Sequence, residues 1–95
     1  MSKLDREVAI IKAEEFLESE SREWKYNDVK AMREKSFQHE NDLIVPYNTI
    51  SYLKTGKIED GLVGNTPIRV NLETGACDFI DIIQVLDYRD MGYPV

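Results

Sequence analysis

One cysteine and one histidine in 95 residues leave almost nothing for redox or metal chemistry. A single Cys excludes an internal disulfide, where a small secreted domain would carry several, so a reducing, cytoplasmic setting is expected. One His and one Cys do not close a tetrahedral zinc site without carboxylates. Cations are in deficit too. Twelve Lys and Arg against eighteen Asp and Glu leave a net charge of −6. That disfavours nucleic acid as a partner, because a phosphate backbone is neutralised by surplus cations. Long apolar runs are also missing. Nothing approaches the ~18 residues of a membrane-spanning helix, and Met1-Ser2-Lys3-Leu4-Asp5 lacks the apolar core of a signal sequence. No phosphate loop, dinucleotide fingerprint or calcium loop is present. No membrane, nucleic acid, metal or cofactor is therefore expected as a partner.

What remains has the composition of a folded domain. The hydrophobic set makes up 42% of the chain, with three Phe, five Tyr and one Trp as core anchors. Wholesale disorder needs lower hydrophobicity than this. The length allows one domain, spanning residues 1–95, and its core is thin because so short a chain buries little surface. Residues 1–42 and 43–95 each sum to −3, so there is neither a basic arm nor an acidic tail. All five glycines and all three prolines fall in the second half, which suggests a helix first and sheet with turns later.

From Ser2 to about Ser21 the pattern is helical. Ala9, Ile10, Ala13, Phe16 and Leu17 form one stripe of a 3.6-residue period, widened by Leu4 and Val8. Ser2 is the expected cap, with Asp5 three residues on. Lys12, Glu14, Glu15 and Glu18 form the expected solvated face. Its acidity favours packing on a sheet over binding to anionic lipid.

From Trp24 to about His39 an imperfect alternation predicts one long strand with a bulge, or a strand at a sheet edge. Asn41-Asp42 reads as a turn, and Leu43-Ile44-Val45 as a strand nucleus ended or redirected by Pro46. Thr49–Thr55 predicts a capped helical turn stopped by Gly56. Gly61 and Gly64-Asn65 bound a connector. Pro67–Val70 and Ala76–Ile80 predict a strand pair joined by the Asn71–Gly75 turn. Ile82, Ile83, Val85 and Leu86 then predict a short terminal helix. The fold class is α+β: an N-terminal helix on an antiparallel sheet of about four strands, closed by a short C-terminal helix or turn.

The run Tyr52-Leu53-Lys54-Thr55-Gly56, then Leu62-Val63-Gly64-Asn65-Thr66-Pro67-Ile68-Arg69-Val70, then Glu73-Thr74-Gly75 resembles the core of the immunity protein 35 family. The shared pattern is Tyr-Leu-x-x-Gly, a spacer, Leu-x-Gly-Asn-x-Pro, an apolar strand and a Thr-Gly hairpin, over about Leu43 to Ile80. The resemblance implies a small cytoplasmic bacterial protein of a polymorphic toxin system that neutralises a cognate protein toxin by binding it. It also implies a toxin of the papain-like peptidase type. An inhibitor or chaperone-like adaptor of another intracellular protein is the alternative.

Catalysis has little to work with. Cys77 and His39 form the one conceivable nucleophilic dyad, but Cys77 lies in an apolar strand and His39 beside Glu40 in a polar turn. No catalytic residue is assigned. Binding is better served: Tyr47 and Tyr52 are of a type enriched at interface hot spots, and either ring could equally pack in the core. Asn65 stands in a Gly-Asn-x-Pro loop, whose residue types serve turn geometry and equally suit a recognition surface. Asp78, Asp81, Asp87 and Asp90 make the C-terminal quarter acidic, which would steer association with a basic partner. These seven residues are the candidate partner-binding set.

Overall fold

The structure, a computed structural model, describes residues 3–24, 28–57, 59, 61–62 and 65–93. Helix α1 spans Arg6–Ser21 and its cap is Asp5, whose side chain accepts from the Val8 N–H. The expected start at Ser2 is corrected, and Ser2 itself lies outside the described residues. The physical reason is that the Leu4 N–H is committed to the Leu72 carbonyl at 2.7 Å, so the chain is still extended there. An Asp at this position also suits the positive end of the helix dipole.

Ala9, Ile10, Ala13 and Leu17 are buried as the stripe predicts, and Phe16 is half-buried with its ring 5.0 Å from Phe79. Val8 does not widen that stripe; it faces solvent.

Between Asp28 and Thr49 the chain forms one long bent hairpin rather than a continuous strand. Strand β1 (Val29–Ala31) pairs antiparallel with β4 (Tyr47–Thr49), and β2 (Phe37–His39) pairs with β3 (Asp42–Val45). Register runs Phe37↔Ile44 in one half and Ala31↔Tyr47 in the other. Six steps of chain on one side thus match three on the other. The three extra residues are a 3-10 turn, Arg33–Lys35. The expected bulge is this insertion, and it divides the hairpin between two sheets. Residues 25–27, where the expected strand includes Tyr26, lie outside the described residues.

The corner is held from both sides. Met32 N–H donates to the Pro46 carbonyl at 2.8 Å, keeping the two halves in step. Pro46 sits between β3 and β4, at the point where neither ladder needs its missing N–H. Arg33 turns towards α1. Its Nε and Nη2 bond both oxygens of Glu14, at 3.1 and 2.7 Å, and its Nη1 reaches Glu7 at 2.8 Å. Glu14 is therefore a tether to the turn and not part of a freely solvated face.

The main sheet has the order β2-β3-β5-β6, all antiparallel, with β5 Ile68–Asn71 and β6 Cys77–Phe79. The β2–β3 turn is one residue earlier than predicted: Glu40 and Asn41 make the loop, and Glu40 adopts φ 54. The β5–β6 turn is as predicted. Asn71 Oδ1 accepts from the Glu73 and Thr74 N–H groups, and Gly75 takes φ 80, where a Cβ would be strained.

Helix α2 (Ile50–Thr55) is capped by Thr49 and stopped by Gly56, as the sequence predicts. Helix α3 spans Ile82–Asp90, with an Asp81–Gln84 capping box. Two apolar clusters result. Leu43, Val45, Ile68 and Val70 pack with α1, while Ile44 packs with Ile80, Val85 and Tyr88 of the α3 side. The sheet therefore has a helix on each face.

The Arg33 hydrogen bonds hold the Glu14 carboxyl below its ordinary value of 4.5. A depressed folded value means that the contribution to stability is full above the ordinary value and is lost as pH falls through the folded one. Glu14→Gln should therefore lower the melting temperature near neutral pH, and the difference from wild type should shrink on acidification below 4.5. Thermal melts of both proteins across that range check it. A difference independent of pH would show that the ionised carboxylate is not what tethers the turn.

Candidate functional site

The motif residues between α2 and β5 turn out to be a clamp. Asn48 Oδ1 accepts from the Thr49 N–H at 2.8 Å and from the Leu62 N–H at 2.9 Å. Asn65 Nδ2 donates to the Tyr47 carbonyl at 3.0 Å. The connector is thereby pinned to β4 at two points. Half-buried Tyr52 covers it: a Cβ on Gly61 would lie 2.9 Å from Tyr52 Cδ2 and 3.0 Å from Asn48 Oδ1. Pro67 is buried and its carbonyl accepts from Ile80. Gly64 and Val63 lie outside the described residues.

Tyr47 belongs to the interior. It is 4% exposed, its ring 5.9 Å from both Trp24 and Phe79, and burial pushes its phenol up to about 12. The four aspartates occupy different settings. Asp78 pairs across the sheet with Arg69, which donates from Nε and Nη2 and is held more firmly protonated by the contact. Asp81 caps α3 through the Gln84 N–H at 2.8 Å. Asp87 and Asp90 stand exposed on the outer side of α3.

Beside them lies a feature that the sequence pattern hides. Ile82, Ile83, Leu86 and Met91 are 59%, 67%, 49% and 56% exposed. The apparent stripe Ile82-Ile83-Val85-Leu86 does not face the core as a unit. Val85 and Tyr88 go inward, and the other three aliphatics form an outward ridge on α3. The clue available in sequence was Tyr88, three residues after Val85, which fixes the inward side. Phe37 and Tyr93 stack at 4.3 Å beneath this end of the fold, with Tyr88 and His39 edge-on to Tyr93.

Two hollows flank the ridge. On the inward side of Arg89 and Val85 is a cleft of about 330 Å³, which reaches Met32 and Lys35 of the turn and Asn65 and Pro67 of the connector. On the other side a hollow of about 150 Å³ is lined by His39, Gln84, Asp87, Tyr88 and Met91.

Cys77 and His39 are kept apart by topology. They lie in β6 and β2, the two edge strands of the main sheet, so three strand spacings or about 14 Å separate them. Burial also pushes the half-buried Cys77 thiol up, away from the thiolate a nucleophile needs. Among the described residues no three His, Cys, Asp or Glu side chains gather as a metal set, and no helix is long and apolar enough to cross a membrane.

These features define a small α+β domain with one helix on each face of an antiparallel sheet and an exposed apolar ridge on the second. The chain belongs to the immunity protein 35 family, whose model matches residues 7–82. Most of the α3 ridge lies beyond that span. No curated protein and no solved structure matches the chain.

The close approach at Gly61 has a direct consequence. Gly61→Ala should force Tyr52 or Asn48 off its seat and cost about 1–3 kcal/mol, the usual range for overpacking. Urea unfolding should show a lower midpoint with an unchanged slope. An unchanged midpoint would mean that Tyr52 does not clamp the connector.

Proposed function

We propose that this chain is an immunity protein that binds its cognate toxin directly and neutralises it by occlusion, without catalysis, in the cytoplasm of the cell that makes both. One observation carries the reading: the exposed ridge of Ile82, Ile83 and Leu86 on α3, bordered by Asp87 and Asp90. Contiguous exposed aliphatics of this kind mark interaction surfaces on small proteins. Membership of the immunity family supplies the class of partner. The charge supplies its complement. Carboxylates beside the ridge, on a chain of net charge −6, favour a basic surface on the toxin and disfavour a second copy of this chain.

Within this reading the earlier candidates divide by role. Asp87 and Asp90 steer the encounter, and Asp81 fixes the helix that presents the ridge. Asp78 is balanced by Arg69 and adds little to the steering field. Tyr47, Tyr52 and Asn65 hold the scaffold behind the cleft. The proposal requires a basic docking surface on the toxin and makes no demand on the toxin's chemistry, papain-like or otherwise.

The test is a binding measurement with the toxin encoded by the adjacent gene. Ile83→Asp should leave the melting temperature unchanged, since the side chain is largely in water, and should weaken the complex by about ten-fold or more, or roughly 1.4 kcal/mol. Asp87→Asn combined with Asp90→Asn should slow association and flatten its salt dependence, with a smaller effect on dissociation. Wild-type affinity in Ile83→Asp would remove α3 from the interface. No complex at all with the wild-type chain would overturn the immunity role.

A further inference from the structure

Helices cover the two faces of the main sheet, and its strand edges differ in what they leave open. Asn71 N–H donates to the Ala76 carbonyl at 2.9 Å and Ile80 N–H to the Pro67 carbonyl at 3.1 Å. Antiparallel bonding alternates along a strand, so Ala76, Asp78 and Ile80 turn their backbone groups to β5. Cys77 and Phe79 turn theirs away, along the outer side of an edge strand. Among the described residues these N–H and C=O groups have no hydrogen-bond partner. The other edges offer less. By the same alternation β2 turns only Gln38 outward, and Asn65 takes the Tyr47 carbonyl on β4. On the outer side of β1, Ala31 is 4% exposed. The β6 edge also leads straight into the α3 ridge, since Ile82 follows the strand after only Ile80 and Asp81.

We infer that β6 receives an extended segment of the toxin as a fifth strand of the main sheet, with a Lys or Arg of that segment opposite Asp78. The inference rests on the docking role proposed for α3 and extends that surface along the adjoining edge. The bonds to Cys77 and Phe79 come from the toxin's backbone, the usual source of affinity in strand addition, and the side chain opposite Asp78 supplies selectivity. That side chain projects on the α3 side of the sheet, beside a hollow of about 340 Å³ lined by Asp42, Arg69, Asn71, Ala76 and Asp78. Among the described lining residues two carboxylates face one guanidinium, and Asp42 makes no ion pair. The small Ala76 side chain leaves room for a long basic one. The same charge acts against a second copy as the occupant. In an antiparallel pair of β6 strands that uses both Cys77 and Phe79, Asp78 lies directly opposite its own copy, and like charges so placed are destabilising.

The backbone groups themselves give the test. Cys77→Pro removes an N–H that points off the edge and leaves the β5 ladder its bonds. It should bind the adjacent-gene toxin about ten-fold or more weakly, mostly through faster dissociation. Cys77→Ala keeps the N–H and should bind as wild type; an equal loss there would assign the effect to the side chain and overturn the inference. Amide hydrogen exchange of the wild-type chain, alone and with the toxin, carries the test if Cys77→Pro melts early. The Cys77 and Phe79 amides should exchange about ten-fold or more slowly in the complex, with the Asp78 amide, already bonded to β5, as the reference. Wild-type affinity in a folded Cys77→Pro, or unchanged exchange in the complex, overturns the inference. Protection of both amides in the isolated chain at high concentration would assign the edge to a second copy and overturn it too. Asp42→Asn should weaken binding by about three-fold more than Glu20→Gln, an equal change of charge on α1; equal affinities would remove the cation from the hollow. The ridge reading stands or falls separately on Ile83→Asp, and the immunity role on whether the wild-type chain binds the toxin at all.

Discussion

Strand β3 has no side that faces water. Leu43, Ile44 and Val45 are buried in succession, at 2%, 0% and 0% exposure. Because side chains alternate across a sheet, three buried neighbours require cover on both faces. Helix α1 supplies one cover, over Leu43 and Val45, and α3 with Phe37 and Tyr93 supplies the other, over Ile44. Each of these buried aliphatics contributes about 1.5–3 kcal/mol against exposure, a large share of what a thin core provides. The position of α3 is therefore a consequence of Ile44. The ridge it displays is the side left over once Val85 and Tyr88 have closed the second cluster.

The bent hairpin sets the other boundary of the candidate surface. Without the three-residue insertion, β1 and β2 would run on as one strand beside β3 and β4, and Lys35 would be one position in a ladder. The 3-10 turn lifts Lys35 out of the sheet at the corner where Pro46 redirects the partner strand. Arg33 anchors this turn to α1, so the segment that contributes to the cleft is tied to the helix on the opposite face. On the connector side the Asn65 and Asn48 hydrogen bonds do the corresponding job. The motif thus maps to the framework around the cleft: Tyr52, Leu62, Asn65 and Pro67 hold the chain in place, and the exposed side of α3 lies outside it.

Much of this was legible in the residues. The α1 stripe, the β3 nucleus, the Asn71–Gly75 turn, the Thr49 and Gly56 limits of α2 and the α+β class all follow from local patterns, and the structure has them. What was not legible depended on distant partners. The helix start moved to Asp5 because Leu4 bonds Leu72. The long strand broke because Arg33 finds two carboxylates on α1, a contact with no local signal. For the site, the acidity of residues 81–90 and the helical character of the segment were readable, but its orientation was not. Apolar residues at 82, 83, 85 and 86 are compatible with several inward faces, and only the packing of Val85 and Tyr88 against Ile44 chooses one. Tyr47 shows the reverse case. Its residue type suits an interface, yet its place opposite Ala31 directs the ring inward to Trp24 and Phe79.

An exposed aliphatic ridge on a small acidic protein invites self-association, and the charge pattern around it acts against that outcome. Pairing the ridge with a second copy in the antiparallel sense sets the Asp87 and Asp90 half-turn of one α3 against its first turn on the other, where Asp81 caps the helix. Carboxylate then meets carboxylate near the rim of a low-dielectric contact, which costs free energy unless a cation intervenes. Pairing in the parallel sense is no better, since Asp87 and Asp90 meet their own copies. The apolar contact by itself discriminates weakly among apolar partners, so the charges at its border add selectivity. A partner with a cation beside its apolar patch would match the carboxylates that border the ridge. A second copy of this chain sets Asp87 and Asp90 against carboxylates in either sense, Asp81 in one and their own copies in the other.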